Sequence, residues 1–489
     1  MAVGAGATRA GGAGLWLTTG NGVCSGYAGG AGPGRTPGAG QPRRRTGTDL
    51  TAAPARVRVG GREASVQAFN GSLPGPTLRC TLATRSGSRC ATGCRLPRTC
   101  TCTDCTSPQG NSDNPFVSID PGGSFDYEFS LPGDHPPGTY WYHPHRHGHV
   151  ADQVAAGLCR HRWKTPTRSW PPGPGAGVSD LSLDADGNLA EVNQMQQMMG
   201  REGQIVLVNG QVRPQLRAAP GERERWRIIN ACPSRYLRLA LEGQGVRLLS
   251  RDLGRLPVPE DVTEVVLAPG NRVELLVETR EGSSTLTAAP VDRGSMNAMM
   301  SGAMRGDNVP GGDPVELLTL AVSGSAGTDP GPVPEGQPLR DLRNEPVTAA
   351  RTLDFAMGMN GNTGMNENMG GGMGMGSGQG TMMAFTINGR KFDPERLDET
   401  AAAGTVEEWT LANSSPMDHP VHLHVWPMQV VQDGGRDVTR PSWQDVVNVP
   451  ARSQVKVRVA FDDFPGRTVF HCHILDHEDQ GMMATVQAR

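Results

Sequence analysis

Apolar residues along this chain recur mostly with period two. Phe125, Tyr127 and Phe129 alternate with polar neighbours, and so do Val455, Val457, Val459 and Phe461. Alternation of this kind, bounded by Gly and Pro, predicts antiparallel strands with one face turned to a core. Denser apolar runs, QIVLVNG at 204–210 and VELLVE at 273–278, predict further strands. Amphipathic helical periodicity is scarce, and 66 Gly and 39 Pro supply turns in abundance. The pattern predicts an all-β fold of sandwich or barrel domains. Two stretches break it. Residues 1–47 are Gly- and Arg-rich and read as disordered. Residues 80–106 have no apolar period, although well-patterned sequence flanks them on both sides.

A chain of 489 residues is long enough for about three domains of ordinary size. The formal net charge of −3 implies no broad basic face, which argues against nucleic acid as a partner. No apolar run approaches the roughly 18 residues needed to span a bilayer, so no membrane span is expected. The first residues lack the charged start, apolar stretch and small-residue cleavage site of a secretory signal, so no export signal is read there.

Ten cysteines could indicate a disulfide framework, but their placement argues against one. Six lie between Cys80 and Cys105, and only Cys232 and Cys472 sit in β-patterned sequence. The segment 80–106, CTLATRSGSRCATGCRLPRTCTCTDCT, reads as translated out of frame. The genetic code tests that reading. Joining the last base of each codon to the first two of the next over Thr99–Thr106 permits L-H-V-H-G-L-H, with a stop also allowed at the Gly position. The same shift over Arg79–Arg85 permits V-H-P-G-D-T, a strand end and turn. The competing reading is a genuine Cys-rich metal or disulfide knot. It restores neither the β pattern nor a His-x-His-Gly pair. A second shifted stretch is read from Cys159 to about Gly175, and the first 47 residues are a third case or a wrong start.

Most of the twelve histidines fall in three clusters: WYHPHRHGH with His143, His145, His147 and His149; HPVHLH with His419, His422 and His424; and HCHILDHEDQGMM with His471, His473 and His477. Alternate residues of a strand share a face. Imidazoles aligned on one face form metal-ligand geometry and are costly to bury otherwise. Parity then sorts the ligands. Cys472 points away from His471 and His473, and His419 falls opposite His422 and His424. One side therefore collects His419, Cys472, His477 and Met482, the two-imidazole, thiolate and weak thioether set of blue copper. Zinc would suit a His/Cys site but would leave Met482 and the neighbouring imidazoles without a role. The other side collects His422, His424, His471 and His473, with His143 and His145 a further same-face pair. That is too many for one metal, so a polynuclear site is expected.

These motifs resemble those of the multicopper oxidases, the family of laccases, bacterial cuprous oxidases, ascorbate oxidase and ferroxidases. HPH, HPVHLH and HCHILDHEDQGM stand intact, while the family's H-x-H-G appears only in the shifted reading of 99–106. The resemblance runs from about residue 48 to the end and implies three cupredoxin-like Greek-key domains. It implies type-1 copper on His419, Cys472, His477 and Met482, and type-2 copper on His422 with a partner in the missing motif. It implies a binuclear type-3 pair on His143, His145, His424, His471 and His473, one ligand short. Four coppers per chain would bind if the first motif were intact. Glu478 resembles a proton-relaying acid, with a salt-bridged loop carboxylate as the equal alternative, and joins Cys472 as a catalytic candidate. His147 and His149 have no ligand role.

The domains expected are 48–175, disrupted at about 80–106 and 159–175; 176–325, a histidine-free structural domain; and 385–489, carrying type-1 copper. Residues 326–384 form a linker with a Met-rich segment. Residues 357–383 hold eight of the 20 Met, and smaller groups lie at Met195, Met198 and Met199 and at Met296, Met299, Met300 and Met304. Thioethers select Cu(I), and the long segment resembles the Met-rich insertions of bacterial cuprous oxidases. The function expected is O2 reduction to water at the expense of Cu(I) or a small phenol. The alternative is a copper-binding protein impaired by its missing first motif. Family resemblance places such an enzyme in the periplasm or outside the cell.

Overall fold

The computed structural model describes residues 46–80, 85–92, 100–102, 114–130, 138–164, 175–294, 313–327, 339–359, 383–462 and 464–489. It is all-β, built of three successive two-sheet units of cupredoxin-like, Greek-key type. In the first unit one sheet runs Arg62–Phe69, Thr46–Val59, Arg85–Thr92, Ser124–Ser130. Its other sheet runs Leu78–Cys80, Arg160–Lys164, Thr139–Pro144, Cys100–Cys102. The second and third units each pair a six-stranded with a five-stranded sheet, in one shared topology. In both, the second strand of the six-stranded sheet lies parallel to the third, with Gly175 opposite Arg227 and Ala349 opposite Glu407.

The repeat extends to side chains. Trp226 and Trp409 are buried at equivalent places, and each indole N–H donates to the carboxylate two residues before it, Glu224 at 2.7 Å and Glu407 at 2.8 Å. The alternation at 455–461 does what its period requires. Val455, Val457 and Val459 are buried around Trp409, while Lys456 and Arg458 turn outward to Glu408. Burial of a Val side chain contributes roughly 1.5–3 kcal/mol, so these three positions alone fix the strand's facing and its register.

The strand Ala349–Met359 lies inside the stretch expected as linker, yet it is a central strand of the third unit's six-stranded sheet. Leu353, Phe355 and Met357 are buried in the third core. Met359 and Met383 also sit in strands, Ala349–Met359 and Met383–Ile387. A single Met among Gly and Asn looks like loop in a local window; the sheet partners that make it a strand are remote. The remaining Met of that stretch, at 360–382, lie outside the described residues. So do 1–45, 81–84, 93–99, 103–113 and 165–174, which include parts of the segments 80–106 and 159–175. The backbone of 85–92, 100–102 and 160–164 nevertheless runs as strands.

The first and third units meet through two short helices. Val150–Ala155 follows the HPH motif and Leu475–Asp479 follows HCH. Val150, Ala151, Val154 and Leu475 form one buried cluster between them. Among the described residues no helix is long and apolar enough to cross a membrane.

Candidate copper centres

The strand His419–Leu423 lies between Gly466–Cys472 and Val446–Val449. Its register sets Val421 opposite Cys472 and His422 opposite His471. Directly opposed residues of an antiparallel pair share a face, so His422 and His471 point one way. Cys472 points the other way with Val421, and His419, two residues along, points with them. The sorting by parity is thus what the sheet produces.

On the Cys472 face, His419 Nδ1 lies 3.4 Å and His477 Nδ1 3.8 Å from Cys472 Sγ, and all three residues are fully buried. His477 Nε2 donates to the carbonyl of Met198 at 3.1 Å, which leaves Nδ1 as the lone-pair nitrogen beside the sulfur. His419 Nε2 is 2.7 Å from Ser415 Oγ. Met482 is fully buried in the same core, its backbone clasped by Cys472 N–H donating to its carbonyl at 3.0 Å and its own N–H donating to His477 O at 2.9 Å. Phe385 stacks on the His477 ring, centroids 4.4 Å apart. Burial lowers His419 to about 3 and pushes the Cys472 thiol up, so without a cation this set is neutral. A bound cation reverses that preference by stabilising the thiolate.

On the opposite face, the Nε2 atoms of His145, His424 and His471 converge, with separations of 3.1 and 3.2 Å. Three imidazole nitrogens this close cannot all carry protons. The triangle is compact enough for one ion at metal–imidazole distances of about 2.0 Å. His471 Nδ1 is tied to the Cys472 carbonyl at 3.0 Å, fixing its tautomer. His143 and His473 face each other with ring centroids 5.7 Å apart, and His422 lies 5.7 Å from His473. His143 Nδ1 donates to Pro144 O and His422 Nδ1 to Asp445 O, both at 2.8 Å. His143 Nε2, His422 Nε2 and both His473 nitrogens have no hydrogen-bond partner among the described residues. Buried lone pairs left open in this way are costly unless an ion takes them. The donor set therefore fits copper: a His/Cys group with Met482 close in sequence, and one complete triple of imidazoles. Burial, then neighbouring imidazoles, lowers His143, His145 and His471 well below the usual range, and burial lowers His473 to about 4.

Glu478 is fully buried between the two faces. Its Oε2 lies 3.2 Å from His471 Nδ1 and its Oε1 3.7 Å from His145 Nδ1, and neither oxygen makes a well-formed hydrogen bond among the described residues. Both imidazoles are neutral, so these are not ion pairs. Burial, reinforced by Asp479, pushes the Glu478 carboxyl well above its usual range. It lies buried beside the imidazole triple, on the short helix Leu475–Asp479. His147 packs on Phe392 at 4.8 Å and stays outside both donor groups, and His149 precedes the helix Val150–Ala155 without a side-chain cap.

Sequence reasoning missed the supports of these ligands. Arg272, fully buried, ion-pairs with Asp445, whose carbonyl holds His422. Its Nε donates to Thr139 O at 3.1 Å, at the start of the strand carrying HPH, and its backbone N–H to Asp252 Oδ1 at 2.8 Å. One guanidinium thus joins all three units beneath the imidazoles. Nearby, a Cβ on Gly270 would come 2.7 Å from His473 Cδ2, so only Gly fits there. Removing one partner of a buried pair leaves an uncompensated charge. Arg272→Ala should therefore cost about 3–5 kcal/mol of stability in chemical denaturation; a loss below about 1 kcal/mol would refute this role for the pair. Asp445 and Arg272 are 173 positions apart, and no local pattern couples them.

A three-unit cupredoxin-like fold with a buried His/Cys group back to back with an imidazole cluster defines a copper-binding oxidoreductase. Two family models described as multicopper oxidase match residues 371–489 and 102–160. The multicopper oxidase MmcO of Mycobacterium tuberculosis is 26% identical over 484 residues, covering 88% of this chain and 85% of its own. The multicopper oxidase mco of Staphylococcus haemolyticus is 26% identical over 385 residues, 76% of this chain and 72% of its own. Among solved structures, the Campylobacter jejuni multicopper oxidase described as a metallo-oxidase superposes with a TM-score of 0.77 at 26% identity, covering 91% of each chain. The chain belongs to the multicopper oxidase family. It is accordingly a laccase-like or cuprous-oxidase-like oxidoreductase, and its cofactor is copper of type-1, type-2 and type-3 kinds.

Proposed function

We propose that His419, Cys472, His477 and Met482 would hold a type-1 copper and that the opposite face would hold a trinuclear copper site, which together would supply one-electron oxidation of a small reductant coupled to reduction of O2 to water. The described ligands of that site are His143, His145, His422, His424, His471 and His473. The observation that carries the proposal is the placement of Cys472 between His471 and His473. Its sulfur faces one donor set and their rings the other, so covalent bonds alone join the two. Glu478, protonated by burial and within 3.2 Å of His471, is the proton donor for the reaction. The burial of every ligand keeps bulk water from the reacting groups.

Cu(I) is the favoured reductant and a phenol the second. The helix Gln194–Met199 supports the first: Met198 and Met199 pack against the type-1 core and Met195 is 61% exposed above it. Relatives named laccase, such as that of Bacillus subtilis at 27% identity over 305 residues, support the second. The domains proposed are 48–175, 176–325 and 385–489, with Ala349–Met359 assigned to the third, and the enzyme works in the periplasm or outside the cell. A second reading, a copper protein that binds but does not turn over, is favoured by the single complete imidazole triple among the described residues.

The test uses the protein with 80–106 and 159–175 returned to frame, loaded with copper. It should consume O2 with either reductant and release no hydrogen peroxide. Deleting 361–381, which leaves both flanking strands whole, should lower Cu(I) oxidation by roughly tenfold while phenol oxidation holds or rises. Loss of both activities, or of neither, would remove the case for a Met-based cuprous route.

A further inference from the structure

The methionine-bearing helix Gln194–Met199 belongs to the middle unit, whereas the type-1 ligands come from the third. Three contacts bolt the two together. His477 Nε2 donates to Met198 O at 3.1 Å, and Gln480 Nε2 donates to Gln197 O at 3.2 Å. The third is larger. Arg201, two residues past the helix, donates its backbone N–H to Asp476 Oδ2 at 2.9 Å, Nε to Oδ1 at 3.0 Å and Nη2 to Oδ1 at 2.6 Å. Asp476 immediately precedes the ligand His477 and is 2% exposed, with Arg201 at 9%. The same guanidinium gives Nη1 to Asp152 Oδ1 at 2.6 Å, on the helix that follows HPH. Its carbonyl accepts from Ser234 Oγ. Between helix and clamp stands Gly200 at φ +79°, where a Cβ would lie 2.7 Å from both Ile474 Cγ2 and Ser234 Cβ. The helix end therefore presses on the ligand loop with no space between them.

We propose that Arg201 is a positioning residue for reductant oxidation: by gripping Asp476 it holds the Met195–Met199 face against the His477 loop and so sets how a soft metal reductant reaches the type-1 site. The inference rests on the type-1 assignment made above. A fork of charge-assisted bonds to one carboxylate fixes distance and angle together. Lys at this position would keep the charge but not the fork. The outer contact to Asp152, whose side chain is 60% exposed, adds little.

The experiment measures anaerobic bleaching of the blue band in copper-loaded protein, which reads the type-1 site without O2 reduction. Arg201→Ala and Asp476→Asn should keep the band but slow bleaching by Cu(I) roughly tenfold, within the 10–100-fold range of outer-shell changes. Bleaching by a phenol, which needs no thioether path, should stay within about twofold. Asp152→Asn should behave as wild type, Arg201→Lys should recover only part of the Cu(I) rate, and the Arg201→Ala/Asp476→Asn double variant should be no slower than either single one. Equal slowing of both reductants would reduce the clamp to a structural role and overturn the proposal, as would wild-type Cu(I) rates in Arg201→Ala. If Arg201→Ala does not fold, Arg201→Lys and Asp476→Asn carry the same comparison. Wild-type protein without a blue band would refute the type-1 assignment itself, a failure separate from that of the clamp.

Discussion

Cys472→Ser should give a colourless protein that still binds copper and no longer oxidises any reductant. Charge transfer from a copper-bound thiolate produces the intense blue absorption, and a serine hydroxyl at neutral pH has neither the charge nor the softness to replace it. The substitution is nearly isosteric, and the surroundings do not depend on the sulfur. Cys472 N–H still donates to Met482 O at 3.0 Å, and Ile474 N–H, 3.4 Å from Sγ, can donate to a hydroxyl. The stability cost of the buried hydroxyl is therefore small, about 1 kcal/mol. Copper content should fall by the type-1 ion only, because His145, His424 and His471 project from the other face and keep their triangle. Absorption spectra, bound copper and O2 uptake read the three statements. A persistent blue band in the variant would transfer the thiolate role elsewhere, and loss of all copper would mean that the two faces are not independent sites.

The fold and the grouping of the histidines with Cys472 were legible for one reason: both depend on parity along strands, which is local. Val455, Val457 and Val459 announce a buried face, and His471-Cys472-His473 announces two opposite faces, whatever lies across the sheet. The supports of the site were not legible because each is a pairing of remote residues. Asp476 looks like an ordinary loop acid until Arg201, 275 positions away, is placed on it. Asp479 likewise caps Val150 and Ala151 of the HPH helix at 3.1 and 2.8 Å, with nothing in either stretch to say so. Glu478 stood between two readings in the sequence because a carboxylate's protonation depends on what surrounds it in space. Burial, reinforced by Asp479, pushes its carboxyl upward. The strand Ala349–Met359 was missed for the converse reason, since its Gly- and Met-rich end resembles in composition the sequence that follows it.

Returning residues 80–106 to frame should raise O2 uptake by roughly 100-fold or more over the chain as it stands. The ligand sets give the reason. Among the described residues His145, His424 and His471 complete one triple, whereas no such triple includes His143, His473 or His422. The shifted reading supplies His-x-His-Gly across 99–106, and the described part of that stretch, Cys100–Cys102, is a strand. The strand Cys100–Cys102 pairs antiparallel with Tyr142–Pro144, setting Thr101 opposite His143. Two imidazoles entering this strand would lie on the neighbour of the strand that carries His143. As written, the codons concerned encode Cys and Thr, and neither supplies an imidazole. Type-1 copper needs none of this, because all its ligands lie between His419 and Met482. Both versions should therefore be blue, and both should bleach anaerobically with Cu(I). Only the restored protein should recolour rapidly when O2 is admitted. Equal reoxidation rates in the two would establish 80–106 as a genuine part of a working enzyme and would end the out-of-frame reading.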